Sequence, residues 1–494
     1  MKKNVIKILF LIAIPLLWQA CSSDDNNDPD PDPNPPVETA DVDVYVTTGD
    51  ESMLFQHVPV SFNKKDNMSP YTVTLSPNTV YQEMEGFGAA FTGSTCYNLL
   101  KMSAENRAKL LKETFDPETG MGYSYIRISI GASDFSLGEY TYCDNAGIEN
   151  FALHEYDKRD VIPVLKEILA INPAVKIMAS PWTCPRWMKV DNLTNMAPYN
   201  SWTGGQLNPA YYADYATYFV KYIQAMKNAG IDIESITVQN EPLNGGNSAS
   251  LYMTWQEQRD FIKNNLGPAF YTAGIETKII VYDHNYNYDN ISDQQSYPAK
   301  IYADSDAAQF IHGSAFHAYG GDKSELMNIH NAYPDKGLYF TEISIGDWGY
   351  TFASDLMWNA REVCIGTINN YCKAVLVWNF MLDADHGPYR PGGCNQCLGA
   401  VTLNASNTDV KRNSHFYTIG HLAKVIKPGA QRIKTSGYTA TGLYYAGFKN
   451  TDGTYGVVLQ NESQDARNVT VALDNKSFTY SVPANSMVSY LWEQ

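Results

Sequence analysis

Short apolar runs alternate along most of the chain with longer stretches whose apolar residues recur at helical spacing. The runs at 86–91, 125–130, 176–180, 235–239, 278–283, 314–317, 338–343 and 374–380 predict strands. The amphipathic stretches at 103–115, 157–171, 209–229, 254–273, 297–303, 323–332 and 352–371 predict helices, with a last one near 413–426. Eight strand–helix alternations predict an α/β fold, a (β/α)8 TIM barrel over 80–427. The two ends have another texture. The runs VDVYVTT, MLFQHVPVSF and YTVTLS, within 41–79, have no helix between them. After Pro428, QRIKTSG, YTATGLYYAGFKN, TYGVVLQN, RNVTVALD, SFTYSVP and MVSYLW are short alternating runs separated by Gly, Asn and Asp turns. These six runs predict a small antiparallel β-sandwich over 428–494. The early strands are expected to join it, so both chain ends build one side module.

The first forty residues fit neither texture. Lys2, Lys3 and Lys7 precede a short apolar run from Ile8 to Trp18, the pattern of a signal peptide over 1–20. That run is too short to span a bilayer as a helix. Trp18-Gln19-Ala20-Cys21 resembles a bacterial lipobox, which implies lipidation of Cys21 and an outer-membrane lipid anchor. The following SSDDNNDPDPDPNPP is acidic, Pro-rich and free of apolar residues, so 21–40 is expected to be an extended tether. It resembles the acidic export signal of surface lipoproteins in Bacteroidetes. The expected location is the cell surface or the periplasmic face of the outer membrane.

Composition narrows the partners. A net charge of −17 repels phosphate backbones, which excludes nucleic acid and leaves neutral glycans open. The 35 tyrosines and 9 tryptophans supply flat apolar faces of the kind sugars stack on. Cys394 and Cys397 form an isolated pair without the further ligands structural zinc needs, so they read as a local disulfide or two thiols. No metal-binding or dinucleotide motif occurs, so no metal or cofactor is expected. A monomer acting on a polysaccharide or oligosaccharide is the expected assembly.

Barrel enzymes place their chemistry at the C-terminal ends of strands. ITVQNEP ends the fourth strand with Asn240, Glu241 and Pro242; LYFTEIS ends the seventh with Glu342. Strands four and seven face each other across the mouth, and two carboxylates meeting there are what glycoside hydrolysis requires.

Seven segments strengthen this reading: EGFGAAFTGS, YSYIRISIGASDFS, ASPWTCPRWMK, VQNEP, HAYGG, FTEIS and VWNFMLDADHGP. In this order they resemble glycoside hydrolase family 30, from about Val80 to the C-terminus. The resemblance implies a barrel with a side sandwich made from both ends, Glu241 as acid/base and Glu342 as nucleophile. It implies sugar contacts at Asp134, Trp182, Asn240, His317, Tyr319 and Trp378, with Arg127 beside the nucleophile. His284 and Tyr286 follow the fifth strand as further pocket candidates. Arg127 is expected to lower the pKa of Glu342, and burial near Glu342 to raise that of Glu241.

The segment YRPGGCNQCLGAV after 386–388 departs from the glucosylceramidase pattern and resembles the microbial β-1,6-glucanases. The leading expectation is a surface-tethered endo-β-1,6-glucanase. The runner-up is an exo-β-glucosidase or glucosylceramidase-like enzyme, or a xylosidase or galactanase relative. A non-catalytic glycan-binding lipoprotein is the alternative from another class.

Overall fold

The computed structural model describes residues 40–64, 69–286 and 291–494. The expected signal peptide, the lipidation site Cys21 and the tether up to residue 39 lie outside them. Eight strands pair in parallel and close into a barrel: Gly86–Ala90, Tyr125–Ile130, Lys176–Pro181, Ser235–Thr237, Lys278–Asn285, Ile311–His317, Gly337–Glu342 and Cys372–Val377. All eight coincide with the predicted runs. They read clearly because strands covered on both faces are continuously apolar. Gly88 lets the first two strands approach: a Cβ there would stand 1.8 Å from the Tyr125 carbonyl oxygen.

Side chains alternate along each strand, so Tyr125 and Arg127 share the inward face. Tyr125, Met178, Ile280, Ala315, Tyr339, Ala374 and Leu376 form one buried cluster inside the barrel. At the N-terminal mouth sits Glu85, buried among Lys373 (2.9 Å), Lys278 (3.3 Å) and Lys176 (3.9 Å), with the Tyr339 hydroxyl donating to it at 3.0 Å. Burial pushes its pKa up, but the lysines outweigh this and hold it below the usual range. Glu85→Ala would leave three half-buried ammonium groups facing one another. The expected loss is roughly 2–3 kcal/mol, the lower end for a broken buried pair because the lysines keep some water. It should show as a lower denaturation midpoint with kcat unchanged, since this mouth is the one opposite the strand ends carrying Glu241 and Glu342.

Most predicted helices form where the periodicity placed them. Thr254 and Glu257 make a reciprocal capping box at the start of Trp255–Phe261. The long helical stretches at 157–171, 254–273 and 352–371 each contain a π-helical insertion, at Asp157–Val161, Ile262–Leu266 and Asn359–Ile365. One extra residue per insertion shifts the apolar stripe, which simple periodicity does not reveal.

Both chain ends build the side module. Val42–Thr48, Gln56–Val60 and Thr72–Glu83 join six C-terminal strands between Gln431 and Trp492 in one hydrogen-bonded series. The series folds over a single core that includes Val44, Val73, Val457, Val471 and Tyr490. Its two edges meet where the Asn63 N–H donates to the Ser477 carbonyl at 2.7 Å. One pairing departs from the expected antiparallel pattern: 470–472 run parallel to 72–74. The helix Ser414–Val425 is buried almost throughout between barrel and sandwich. Its His421 ring bridges Ser489 Oγ (2.9 Å) and Thr47 Oγ1 (2.8 Å), tying the two modules together.

Candidate active site

The C-terminal ends of the strands converge on one charged network. Its centre is Arg127, fully buried inside the second strand. Nη1 donates to Glu342 Oε2 (2.6 Å), Nη2 to Asp283 Oδ2 (2.7 Å) and Asn240 Oδ1 (2.8 Å), and Nε to Ser180 Oγ (3.1 Å). Glu342 is the last residue of the seventh strand, and its Oε1 accepts from the Tyr319 hydroxyl at 3.1 Å. Tyr319 turns that hydroxyl inward while part of its ring stays exposed.

Glu241 reaches the same place from the fourth strand by an unusual backbone turn. Its φ is +44°, and its N–H donates to the Asp283 carbonyl at 2.9 Å. Pro242 disfavours the right-handed helical region for the residue before it, and the strained turn aims the carboxylate into the mouth. Oε1 meets His317 Nδ1 at 3.2 Å, and Oε2 accepts from Asn244 Nδ2 at 2.8 Å. One carboxylate oxygen each from Glu241 and Glu342 and one ring nitrogen of His317 lie within 4.8 Å of one another. Among the described residues this is the one trio close enough to hold a metal, and its members are already knitted together by hydrogen bonds to protein groups.

Asp283 was not singled out from the sequence, yet it organises the network. It accepts from Arg127, Thr237 Oγ1 (2.7 Å) and Thr341 Oγ1 (2.7 Å), and meets His317 Nε2 at 3.0 Å. The fifth strand bulges between Tyr282 and His284, with positive φ at Tyr282 and Asp283, and this turns the carboxylate inward. An Asp near the C-terminal end of a barrel strand was the available signal.

The electrostatics reverse the sequence-based expectation. Burial pushes Glu241 up, but the His317 hydrogen bond and the Asn244 amide overcome it and hold the carboxyl at about 2. His284 also faces Glu241, but burial keeps its own pKa at about 4, so it is neutral near pH 7. Burial raises Glu342, and the charges of His317 and Arg127 offset this only in part. Arg127 lowers Glu342 less than expected because it shares its charge with Asp283. His317, although buried, is ringed by Glu342, Asp283 and Glu241 and is raised to about 9. The proton shared by this network is held most strongly at His317, one hydrogen bond from Glu241.

A cavity of about 410 Å³ opens above this network. Asp134, Glu241, Tyr319, Glu342 and Trp378 line it, as does His284. Arg127, Asn240, His317 and Trp182 stand behind its wall. Trp182 does not reach the cavity; it stacks beneath Trp378 (5.2 Å, 25°), and both rings lie near the Arg127 guanidinium. Tyr286 belongs to the core, stacked on Phe316. The buried Asp134 Oδ1 has no protein hydrogen-bond partner. Burial and the charges of Glu342 and Glu241 raise Asp134 well above its ordinary value, which favours the protonated form that can donate to a ligand. The sequence did not single out Asn244, Asn247 or Trp348 at the rim. Cys394 and Cys397 are disulfide-bonded at the same rim, and the other five cysteines in the described residues are free and buried.

The model of the glycosyl hydrolase family 30 TIM-barrel domain matches residues 84–426, and that of the family's beta sandwich domain matches 429–490. The chain belongs to glycosyl hydrolase family 30. Relatives include an endo-1,6-beta-D-glucanase of Aspergillus fumigatus, 33% identical over 431 residues that cover 83% of this chain and 85% of that protein. The lysosomal acid glucosylceramidase of Mus musculus is 28% identical over 85% of this chain and 83% of its own. A solved endo-beta1,6-glucanase superimposes with a TM-score of 0.91 at 56% identity, covering 92% of this chain and all of the other. As a family-30 member the chain is a glycoside hydrolase.

Proposed function

We propose that this enzyme is a retaining endo-β-1,6-glucanase in which Glu342 is the nucleophile and Glu241 the acid/base. The convergence of the two carboxylates, with one oxygen of each within 4.8 Å of the other, carries the reading. Retaining glycosidases bring their carboxyl groups to about 5–5.5 Å, whereas inverting enzymes hold them roughly 6.5–9.5 Å apart to admit a water between them. The linkage rests on the 56% identical solved glucanase and the 33% identical fungal enzyme, both named for β-1,6-glucan.

The chemistry follows from the contacts. Arg127 and Tyr319 donate to the two oxygens of Glu342, the arrangement an ionised carboxylate needs. Glu342 attacks the anomeric carbon and forms a glycosyl ester. The C–O bond to the leaving sugar breaks, and its oxygen takes the proton that His317 passes along the hydrogen bond to Glu241. Esterification removes the charge of Glu342. Glu241 then takes a proton from water, which attacks the same carbon, and Glu342 is released. Asp134 and Trp378 are assigned to the reacting sugar, as a hydrogen-bond donor and an aromatic floor. We further infer that Cys21 carries a lipid anchor that holds the enzyme at the cell surface, where a polymer substrate arrives from outside.

Digestion of a linear β-1,6-glucan, followed over time, tests the reading. Oligosaccharides of several lengths should appear before glucose accumulates. Glucose alone from the earliest times would overturn endo action and favour an exo-β-glucosidase.

A further inference from the structure

The cavity has a closed side and an open side. Asp134, Trp378 and the supporting Trp182 are buried on the closed side. The segment 388–397 crosses above them as a strap. The Arg390 N–H donates to the Asp134 carbonyl at 2.6 Å. A Cβ on Gly393 would stand 3.2 Å from that of Asp134, and one on Gly392 would stand 3.4 Å from that of Ser248. The strap thus reaches from the loop after the eighth strand to those after the second and fourth.

On the open side stands Trp348, 55% exposed at the rim of the same cavity. Unlike Tyr271 or Trp358, which are also exposed, this indole lines the cavity that holds Glu241 and Glu342 and so lies open to what enters it. Its position is fixed from below. The ring lies on Gly346, where a Cβ would meet it at 2.0 Å. Gly346 pairs with Cys397 in the short ribbon Ile345–Gly346 with Cys397–Leu398, and the Asp347 N–H donates to the Gln396 carbonyl at 2.8 Å. The Cys394–Cys397 disulfide closes the strap directly beside this ribbon. Asn244, Asn247 and Ser344 supply polar groups around the same opening. A flat apolar face ringed by amides and a hydroxyl fits the C–H face and the hydroxyl edge of a pyranose.

The leaving sugar takes its proton from Glu241, so it lies where Glu241 and its partner Asn244 line the cavity, and Trp348 lines that same cavity. We propose that Trp348 is the stacking platform for the first sugar on the leaving-group side, and that the Cys394–Cys397 bridge positions it. This deepens the glucanase reading and rests on it. Trp348→Ala is compared with wild type on two substrates: a β-1,6-gluco-oligosaccharide, and β-gentiobiosyl fluoride, whose departing fluoride occupies no sugar site. kcat/KM on the oligosaccharide should fall about 10–30-fold, and the loss on the fluoride should be several-fold smaller. Trp348→Phe should recover most of the difference. The Cys394→Ser/Cys397→Ser pair should show the same selective loss at smaller size. Equal losses on both substrates, or an unchanged rate on the oligosaccharide, would overturn the platform. Wild-type enzyme that cuts only a different β-glucan would refute the linkage instead. The same ratio, taken between that glucan and the fluoride, then decides on Trp348.

Discussion

Replacing Glu342 with Gln should abolish glycan hydrolysis while leaving the fold and glycan binding in place. An amide is a poor nucleophile, and its ester equivalent does not form. The expected fall in kcat is about 10⁴-fold or more, ~5 kcal/mol of barrier. The fold should survive because Arg127 keeps three other partners, Asp283, Asn240 and Ser180. The buried guanidinium is thus not left unpaired, which is what makes single removals in buried ion networks destructive. Thermal melting should remain close to wild type, and binding to an immobilised β-glucan should persist. Residual turnover within tenfold of wild type would remove Glu342 from the chemistry. The wild-type enzyme offers a companion measurement, since proton NMR of the first-released product should show the β-anomer. The α-anomer appearing first would mean inversion and a water between the carboxylates.

The barrel was legible because its strands are covered on both faces and read as unbroken apolar runs. The strand ends were legible because Asn240-Glu241-Pro242 and Thr341-Glu342 follow such runs directly. Asp283 was not, because its inward turn depends on a bulge with positive φ, and nothing in the apolar pattern of 278–283 marks one. Trp182 and Trp378 look alike as strand-end tryptophans, yet only three-dimensional stacking decides which one faces the cavity and which supports it. Trp348 sits in a loop without periodicity, so no pattern points to it. The charge balance was misjudged for the same reason. Arg127 and Glu342 suggested a simple pair, whereas Asp283 takes part of the arginine and draws His317 into the network. Pairwise reasoning fails in such clusters because the protons belong to the group as a whole.

That shared proton leads to the second large effect. Glu241→Ala should separate substrates by their leaving groups. A sugar alkoxide leaves only with protonation, so hydrolysis of the glucan should fall about 10²–10⁴-fold, the usual range for general acid–base catalysis. An aryl glycoside with an acidic phenol needs no such help in the first step. There the glycosyl-enzyme should form at a near-normal rate and then accumulate, because no base activates water. Azide, a nucleophile that needs no deprotonation, should fill the space left by the carboxylate and release a β-glycosyl azide. The pH dependence carries the same signature. In wild type the Glu241–His317 pair holds its proton until pH approaches the raised value of His317, about 9, so kcat/KM on glucan should decline as pH rises through that region. The variant acting on the activated aryl substrate should lose this basic limb, because its first step no longer draws on that proton. Its acidic limb, set by the need to ionise Glu342, should persist. If the variant keeps the basic limb, or azide neither accelerates turnover nor yields a β-azide, the proton donor lies elsewhere than Glu241.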